Sequence, residues 1–305
     1  MTTYDAASPT ALLFNITKGS FVDGYGIRTT IFLKGCPLKC KWCCNPEGQS
    51  FAPELRLLID RCRGCGKCVP LCPEKALTIS DGLVQVDRAR CTGCGKCTSA
   101  CWFDALQIYG RETSAREMFD EIIRDKPFFA DSGGGLTIGG GEATCWPDFC
   151  LEMIRLCHEA GINVAIDTCG YVIGEKRFSV LEQTDLILFD IKGLNDAAHI
   201  ANTGVSNRVI HENLRRLNAL GKSVIIRYPM IPGYNLDEAE AIADYLTQFS
   251  CIERVDLIGY HRFGATKYDQ IGMTYTVEGE SMPAQQRQEI LELFQAKGHN
   301  AQLGG

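Results

Sequence analysis

The stretch Lys34–Glu47, KGCPLKCKWCCNPE, sets Cys36, Cys40 and Cys43 at a C-x3-C-x2-C spacing, with Trp42 before the third cysteine. Three thiolates so close together leave an iron–sulfur cube with one iron lacking a protein ligand. An open coordination position is what a metal needs to act on a substrate. Cys44 follows at once, but adjacent cysteines in an extended loop point apart, so it reads as structural rather than as a fourth ligand.

Further along, Cys62, Cys65, Cys68 and Cys72 read C-x2-C-x2-C-x3-C, and Cys91, Cys94, Cys97 and Cys101 repeat that spacing 29 residues later. Two-cluster bacterial ferredoxins use this run, each fourth cysteine crossing to the other cluster. The crossover assigns Cys62, Cys65, Cys68 and Cys101 to one 4Fe–4S cluster and Cys91, Cys94, Cys97 and Cys72 to a second. Zinc is the competing reading, because paired C-x2-C units also build zinc ribbons. Zinc, however, favours two well-separated pairs, and here four ligands crowd into eleven residues, twice. Cys101 precedes Trp102, where the first run has Pro73.

The whole chain has 305 residues and 17 cysteines, twelve of them between Cys36 and Cys101. An odd count with no leader-like stretch after Met1 argues against a disulfide framework and for metal binding. The net charge of −6 argues against nucleic-acid partners, and no apolar window is long enough for a membrane span. A cytoplasmic protein is expected.

Setting aside residues 58–108 leaves about 250 residues, the length of a β/α barrel. Strands are expected at Arg28–Leu33, Leu136–Ile138, Asn163–Ile166, Leu186–Ile191, Ser223–Arg227 and Arg254–Ile258. Helices are expected at Ser114–Arg124, Asp148–Ala160, Lys176–Gln183, Arg208–Leu220, Asp237–Phe249 and Pro283–Lys297. This βαβα alternation predicts an α/β fold, a partial (β/α)6 barrel of residues 1–57 and 109–305, with 58–108 as a ferredoxin-like insert for two 4Fe–4S clusters.

Each strand ends in something chemically capable: Cys36, Gly139–Glu142, Asp167, the Asp190/Lys192 pair, Arg227 and His261. In β/α barrels such ends share one mouth. Gly139-Gly140-Gly141-Glu142 lacks the order of a dinucleotide fingerprint, yet three glycines allow close backbone approach to a ligand. D-x-K usually marks a surface pair; here it closes an apolar strand, with both side chains on one face. A lone histidine is more often structural. Cys145, Cys150, Cys157, Cys169 and Cys251 have no ligand spacing and read as small apolar residues.

The C-x3-C-x2-C loop resembles that of the radical S-adenosylmethionine (SAM) superfamily. FVDGYGIRTTIFLKGC, KWCCNPE, SGGGLTIGGGE, FDIKGL, IRYPMIPGYN and YHRFGATKY together resemble glycyl radical enzyme activating enzymes, in the subgroup with two extra clusters. The resemblance implies three 4Fe–4S clusters and reductive cleavage of SAM to methionine and a 5′-deoxyadenosyl radical, which takes a glycine Cα hydrogen from a partner enzyme. It implies SAM contacts for Trp42, Asn45, Gly140, Gly141, Glu142, Asp167, Asp190, Lys192, Arg227 and His261. Glu142 belongs to the stretch that holds the SAM amino group, Arg227 faces the methionine carboxylate, and the aspartates lie near a monovalent cation. The implied partners are the C-terminal glycine loop of a glycyl radical enzyme and a flavodoxin or ferredoxin donor, with the chain itself a monomer.

Two residues depart from the family pattern, Ala143 after the glutamate and Tyr25 within DGYG, both proline in the motif. A radical SAM enzyme acting on a small molecule or another peptide is the nearest alternative, although sulfatase maturases carry further cysteines after the barrel and here the last is Cys251. A simple electron carrier would need neither the three-cysteine loop nor a barrel.

Overall fold

Runs such as Leu186–Phe189 and Val224–Ile226 are apolar at every position, and strands of this kind need cover on both faces. The computed structural model describes residues 8–304, so the outermost positions of the expected barrel segments, 1–7 and 305, lie outside the described residues. In chain order the strands are β1 (Thr10–Ser20), β2 (Arg28–Leu33), β3 (Glu54–Leu57), β4 (Leu77–Ser80), β5 (Leu83–Val86), β6 (Leu106–Tyr109), β7 (Arg111–Ser114), β8 (Gly135–Gly140), β9 (Asn163–Thr168), β10 (Leu186–Asp190), β11 (Val224–Met230), β12 (Ile252–Gly259) and β13 (Ala301–Leu303). The helices are α1 (Ala115–Ile122), α2 (Lys126–Ser132), α3 (Pro147–Glu159), α4 (Glu175–Gln183), α5 (Asp196–Thr203), α6 (Arg208–Ala219), α7 (Ala239–Leu246), α8 (Ala265–Ile271) and α9 (Ala284–Ala296). Among them, no helix is long and apolar enough to cross a membrane.

Nine strands form one sheet in the order β13-β12-β11-β10-β9-β8-β2-β1-β7. The six expected strands are its parallel centre, β2 and β8 to β12. Three more extend it: β13 is parallel to β12, whereas β1 and β7 continue past β2 as an antiparallel edge. The helix expected over Ser114–Arg124 stops at Ile122, and a tight turn leads into α2, where Pro127 sits in the first turn and its missing N–H costs nothing. Ser114 caps α1 reciprocally with Glu117. The helix expected over Asp237–Phe249 opens as a turn at Leu236–Glu238 and is helical only over Ala239–Leu246.

The sheet curls into a partial barrel. Strand β12 lies five strands from β2, about 24 Å away in a flat sheet. Yet Tyr25, three residues before β2, donates its hydroxyl to Glu253 of β12 at 2.9 Å. The β1–β2 loop therefore spans the inside of the curve. Its end is fastened by the fully buried Arg28, which donates to Thr137 Oγ1 (2.6 Å), Leu136 O (2.5 Å), Asn163 Oδ1 (3.1 Å) and Tyr25 O (3.3 Å). One apolar core joins Ile31, Ile138, Ile166, Phe189, Ile226 and Leu257 of the strands to Met118, Phe149, Leu214 and Phe294 of the helices.

Two small antiparallel pairs, β3 with β6 and β4 with β5, stand apart from the main sheet around a second core of Leu55, Leu77, Val84, Leu106, Cys68 and Cys97. Arg56 Nε donates to Gln270 Oε1 at 2.7 Å and Arg88 to Gln270 O at 2.9 Å, so this unit leans on α8.

Replacing Arg28 by leucine leaves Thr137, Asn163 and two carbonyls short of a donor. Arg28→Leu is expected to cost about 3 kcal/mol in urea unfolding, several times what an exposed arginine costs. A change within about 0.5 kcal/mol would show that this fastening carries no stability.

Candidate active site

The turn after β2 begins at Lys34, whose ammonium is fully buried and donates to Glu47 O (2.5 Å) and Glu54 Oε2 (2.7 Å). Gly35 follows at φ +96, and the cysteine loop is then tied on every side. Lys39 N and Lys41 N donate to Thr203 O and Asn202 O at the end of α5 (2.7 and 3.0 Å). Tyr268 of α8 donates to Cys43 O (3.1 Å), and Lys267 donates to Asn45 Oδ1 (2.8 Å) and Glu47 Oε1 (2.7 Å). Trp42 is buried against Ile231, Tyr260 and Val277, edge-on to Tyr234.

Cys36, Cys40 and Cys43 open on a cavity of about 220 Å³ at the C-terminal ends of the parallel strands. Trp42, Asn45, Gly140, Gly141, Asp167, Asp190, Lys192 and Arg227 line it as well. The glycines have a packing reason. A Cβ on Gly140 would lie 2.3 Å from Leu33 N, and one on Gly141 would lie 2.3 Å from Gly48 O, so only glycine lets the end of β8 rest against the cysteine loop.

Glu142 turns away from the cavity. Its carboxylate is fully buried and accepts from Thr144 N and Oγ1, Thr168 Oγ1 and Cys169 N, the last at 2.8 Å. His261 also lies off the cavity lining, half-buried and stacked on exposed Phe263 with ring centres 4.4 Å apart. Sequence reasoning missed Thr168, Cys169, Pro229 and Ile258, which do line it. Cys169 is thus more than an apolar filler, and Cys44 opens on the same space. Cys150, Cys157 and Cys251 pack into the main core.

Charge is concentrated along one wall. Arg227 is nearly buried, its Nη1 3.1 Å from Asp167 and its Nη2 3.2 Å from Asp23, with a further bond to Val22 O. Burial opposes its charge, but the two aspartates outweigh burial and raise its pKa. Burial pushes the Asp167 carboxyl up to about 6, against the pull of Arg227. Lys192 is paired with Asp190; burial lowers its pKa, and Asp190 and Cys40 more than reverse that. A hydrogen bond from Cys169 draws the Cys36 thiol below its usual range, while burial pushes Cys43 up to about 11.

In the smaller unit the thiols fall into two sets. Cys62, Cys65, Cys68 and Cys101 line one cavity, and Cys72, Cys91, Cys94 and Cys97 line another. Among the described residues no three His, Cys, Asp or Glu side chains gather tightly enough for a single ion, and each set surrounds a space instead. That donor set fits a four-iron cube, in which each thiolate has its own iron. Backbone N–H groups already point at sulfur: Ala76 N to Cys72 Sγ and Ala105 N to Cys101 Sγ, both at 3.2 Å.

Residues 88–246 match the family model of the radical SAM superfamily, and residues 54–102 match that of the 4Fe-4S dicluster domain. The trans-4-hydroxy-L-proline dehydratase activating enzyme of Clostridioides difficile is 41% identical, over 96% of this chain and 99% of that protein. The choline trimethylamine-lyase activating enzyme of Oleidesulfovibrio alaskensis is 40% identical, over 88% and 89%. The benzylsuccinate synthase activating enzyme of Thauera aromatica is 40% identical, over 96% and 92%. Streptococcus suis SuiB, bound to the precursor peptide SuiA, shares the fold at a TM-score of 0.51 and 15% identity, over 64% of this chain and 43% of that one.

Because the folded Asp167 carboxyl titrates at about 6 rather than the ordinary 3.8, the folded chain holds this proton more tightly than the unfolded chain. Its contribution to stability is full below about pH 4 and is lost as pH rises through about 6. In cluster-free protein, Asp167→Asn is expected to flatten the fall in urea midpoint between about pH 4.5 and 7. An unchanged slope would mean that the carboxylate is charged throughout.

Proposed function

The chain belongs to the radical SAM superfamily, among the activating enzymes of glycyl radical enzymes, and from that premise we propose that it cleaves SAM reductively to install a glycyl radical in a partner enzyme. The observation that carries this reading is the cavity itself, where Cys36, Cys40 and Cys43 of the C-x3-C-x2-C loop, with Cys44 and Cys169 beside them, face two glycines, two aspartates, a lysine and an arginine. When bound, a 4Fe–4S cluster there supplies one electron to the sulfonium of SAM. The S–C5′ bond breaks, methionine leaves, and the 5′-deoxyadenosyl radical takes a hydrogen atom from a glycine Cα, ending as 5′-deoxyadenosine beside a glycyl radical.

The protein's own work is to hold, orient and exclude water. In this reading Cys36, Cys40 and Cys43 bind the cluster, and Trp42 and Asn45 keep the loop's far side closed. Gly140 and Gly141 give backbone groups to the methionine end of SAM. Glu142 acts behind them: its carboxylate fixes the Thr168–Cys169 turn through Cys169 N–H, and so holds the wall against which SAM lies. Arg227 offers positive charge to the methionine carboxylate while Asp23 and Asp167 keep it in place. The Asp190–Lys192 pair shapes the floor, and Asp167 with Asp190 suits a monovalent cation. His261 is assigned to the ribose end in this reading, although its ring stacks on Phe263 off the cavity lining.

Residues 58–108 then serve as the insert, carrying two further 4Fe–4S clusters, three in all. Cys62, Cys65, Cys68 and Cys101 hold one, and Cys72, Cys91, Cys94 and Cys97 the other, within the barrel of 1–57 and 109–305. A flavodoxin or ferredoxin supplies the electrons, and the chain works as a cytoplasmic monomer that docks on the glycine loop of its partner. The relatives' partners make the first panel: trans-4-hydroxy-L-proline dehydratase, choline trimethylamine-lyase and benzylsuccinate synthase.

The test is anaerobic. Reconstituted, reduced protein receives SAM and each panel enzyme carrying α-deuterated glycine, and 5′-deoxyadenosine is weighed by mass spectrometry. Deuterium in the product is expected with one partner, and Cys40→Ala is expected to bring 5′-deoxyadenosine down to background. Unlabelled 5′-deoxyadenosine with every partner would overturn the glycine target. No 5′-deoxyadenosine from protein with full iron content would overturn the enzyme reading.

A further inference from the structure

Helix α8 has only seven residues, Ala265–Ile271, too few to hold together in water without help from its surroundings. Those surroundings belong to two units of the chain. The helix lies between β3 of the smaller unit and the turn at Pro46–Gly48 that ends the cysteine loop. A glycine at each end marks a close approach to a different neighbour. A Cβ on Gly264, just before the helix, would lie 2.8 Å from Cys44 Cα, and one on Gly272, just after it, would lie 2.7 Å from Arg88 Nε.

The polar contacts divide in the same way. Toward the loop, Lys267 donates to Asn45 and Glu47, and the buried Tyr268 donates to Cys43 O at 3.1 Å. Toward the smaller unit, the Gln270 carbonyl is one of the orphan acceptors at the helix C-terminus, and Arg88 Nη2 donates to it at 2.9 Å. Positive charge at that end also complements the helix dipole. The Gln270 side chain accepts from Arg56 Nε at 2.7 Å. Arg88 donates as well to Leu55 O of β3, and it precedes Cys91 by three residues, so one guanidinium ties a cysteine run, a strand of the smaller unit and α8 together.

We propose that Arg88 is a positioning residue for the cysteine loop: by fixing α8 from the side of the smaller unit, it holds Tyr268 and Lys267 where they set Cys43 and the end of the loop. The proposal rests on the reading of Cys36, Cys40 and Cys43 as the site of SAM cleavage, and it gives the smaller unit a mechanical task there in addition to its clusters. The stretch around Cys40 is tied to α5 through Lys39 N and Lys41 N, whereas the carbonyl of Cys43 is held from α8. Without Arg88 the third cysteine loosens while the stretch around Cys40 keeps its ties. SAM then meets a site displaced at one ligand and binds less tightly.

Two measurements on reconstituted protein test this, with dithionite as reductant so that no donor protein is needed. Hydrogen exchange is expected to be about tenfold faster in Arg88→Ala at the amides of residues 43–48 and 265–272, with the rest of the barrel unchanged. In 5′-deoxyadenosine formation without a partner enzyme, the KM for SAM is expected to rise about fivefold at an unchanged maximal rate per loaded protein. Arg88→Lys, which restores one donor, falls between parent and alanine. Gln270→Ala leaves the smaller unit's own sequence intact and removes only the Arg56 bond; it moves both readouts the same way by about threefold, and it decides the matter if Arg88→Ala loses iron. Unchanged exchange at residues 43–48, acceleration spread evenly over the chain, or a parent KM for SAM would each overturn the proposal; the last is what a unit that only carries electrons predicts. Failure of the functional reading shows separately, as parent protein with full iron content that forms no 5′-deoxyadenosine, and exchange at the cysteine loop then decides the brace alone.

Discussion

A guanidinium taken out of water must be matched by opposite charge, and Arg227 in the middle of β11 is the place where this barrel meets that demand. The fold is an open sheet, so its inner surface has no closing strand to pair with. Asp167 of β9 and Asp23 of the β1–β2 loop converge on the one cation and cross-link three distant segments through it. The arrangement is not fully satisfied, since Arg227 Nε is buried without a partner. The position of Val22 and the shape of the cavity wall follow from where this guanidinium sits, while the Asp167 carboxyl is raised by its burial against the pull of Arg227.

A second buried cation does comparable work at the mouth. Lys34 is the last residue before the cysteine loop, and its ammonium binds the carbonyl of Glu47 at the far side of that loop and the carboxylate of Glu54 at the start of β3. The loop is thereby closed on itself and joined to the smaller unit through one side chain. Gly93 rests on this junction, since a Cβ there would lie 2.2 Å from Pro53 O. The run Cys91–Cys97 therefore packs against the barrel side. Gly64, its counterpart 29 residues earlier, packs on Gly82 of its own hairpin instead.

The parallel centre of the fold was legible because burial on both faces leaves continuous apolar runs, and β2 has the limits expected from its sequence, Arg28–Leu33. Four of the other five run longer at one or both ends, since pairing with a neighbour recruits end residues such as Thr168, while β10 stops at Asp190, one residue short of the expected Ile191. The antiparallel edge escaped detection for a related reason. Strand β1, TALLFNITKGS, mixes polar and apolar residues without a clean alternation, and its partner on one side is the four-residue β7. At the site, the rule that chemistry gathers at strand ends found the cysteines, both cavity aspartates, Lys192 and Arg227. It could not say which way Glu142 points, because that depends on donors from Thr168 and Cys169 that lie 26 and 27 residues away. His261 follows the same logic: its stacking on Phe263 is a local loop conformation with no periodic signal.

The cysteine repeat, by contrast, is repeated in backbone detail that spacing alone does not express. Gly64 and Gly93 have φ +62 and +68, and Gly66 and Gly95 have +73 and +74. More telling are Lys75 and Asp104, also 29 residues apart, both left-handed at φ +50 although neither is glycine. An L-residue pays about 1 kcal/mol or more for that conformation. In each half the next amide is the one that reaches sulfur: Ala76 N to Cys72 and Ala105 N to Cys101. The left-handed residue turns the chain so that an N–H meets the fourth thiol of its run, and hydrogen bonding to sulfur favours the thiolate that a metal binds. The strain and the donor come together in both halves, so the cost is one the cluster-binding chemistry of the loop requires, and the identity of the side chain at the strained position is free to differ.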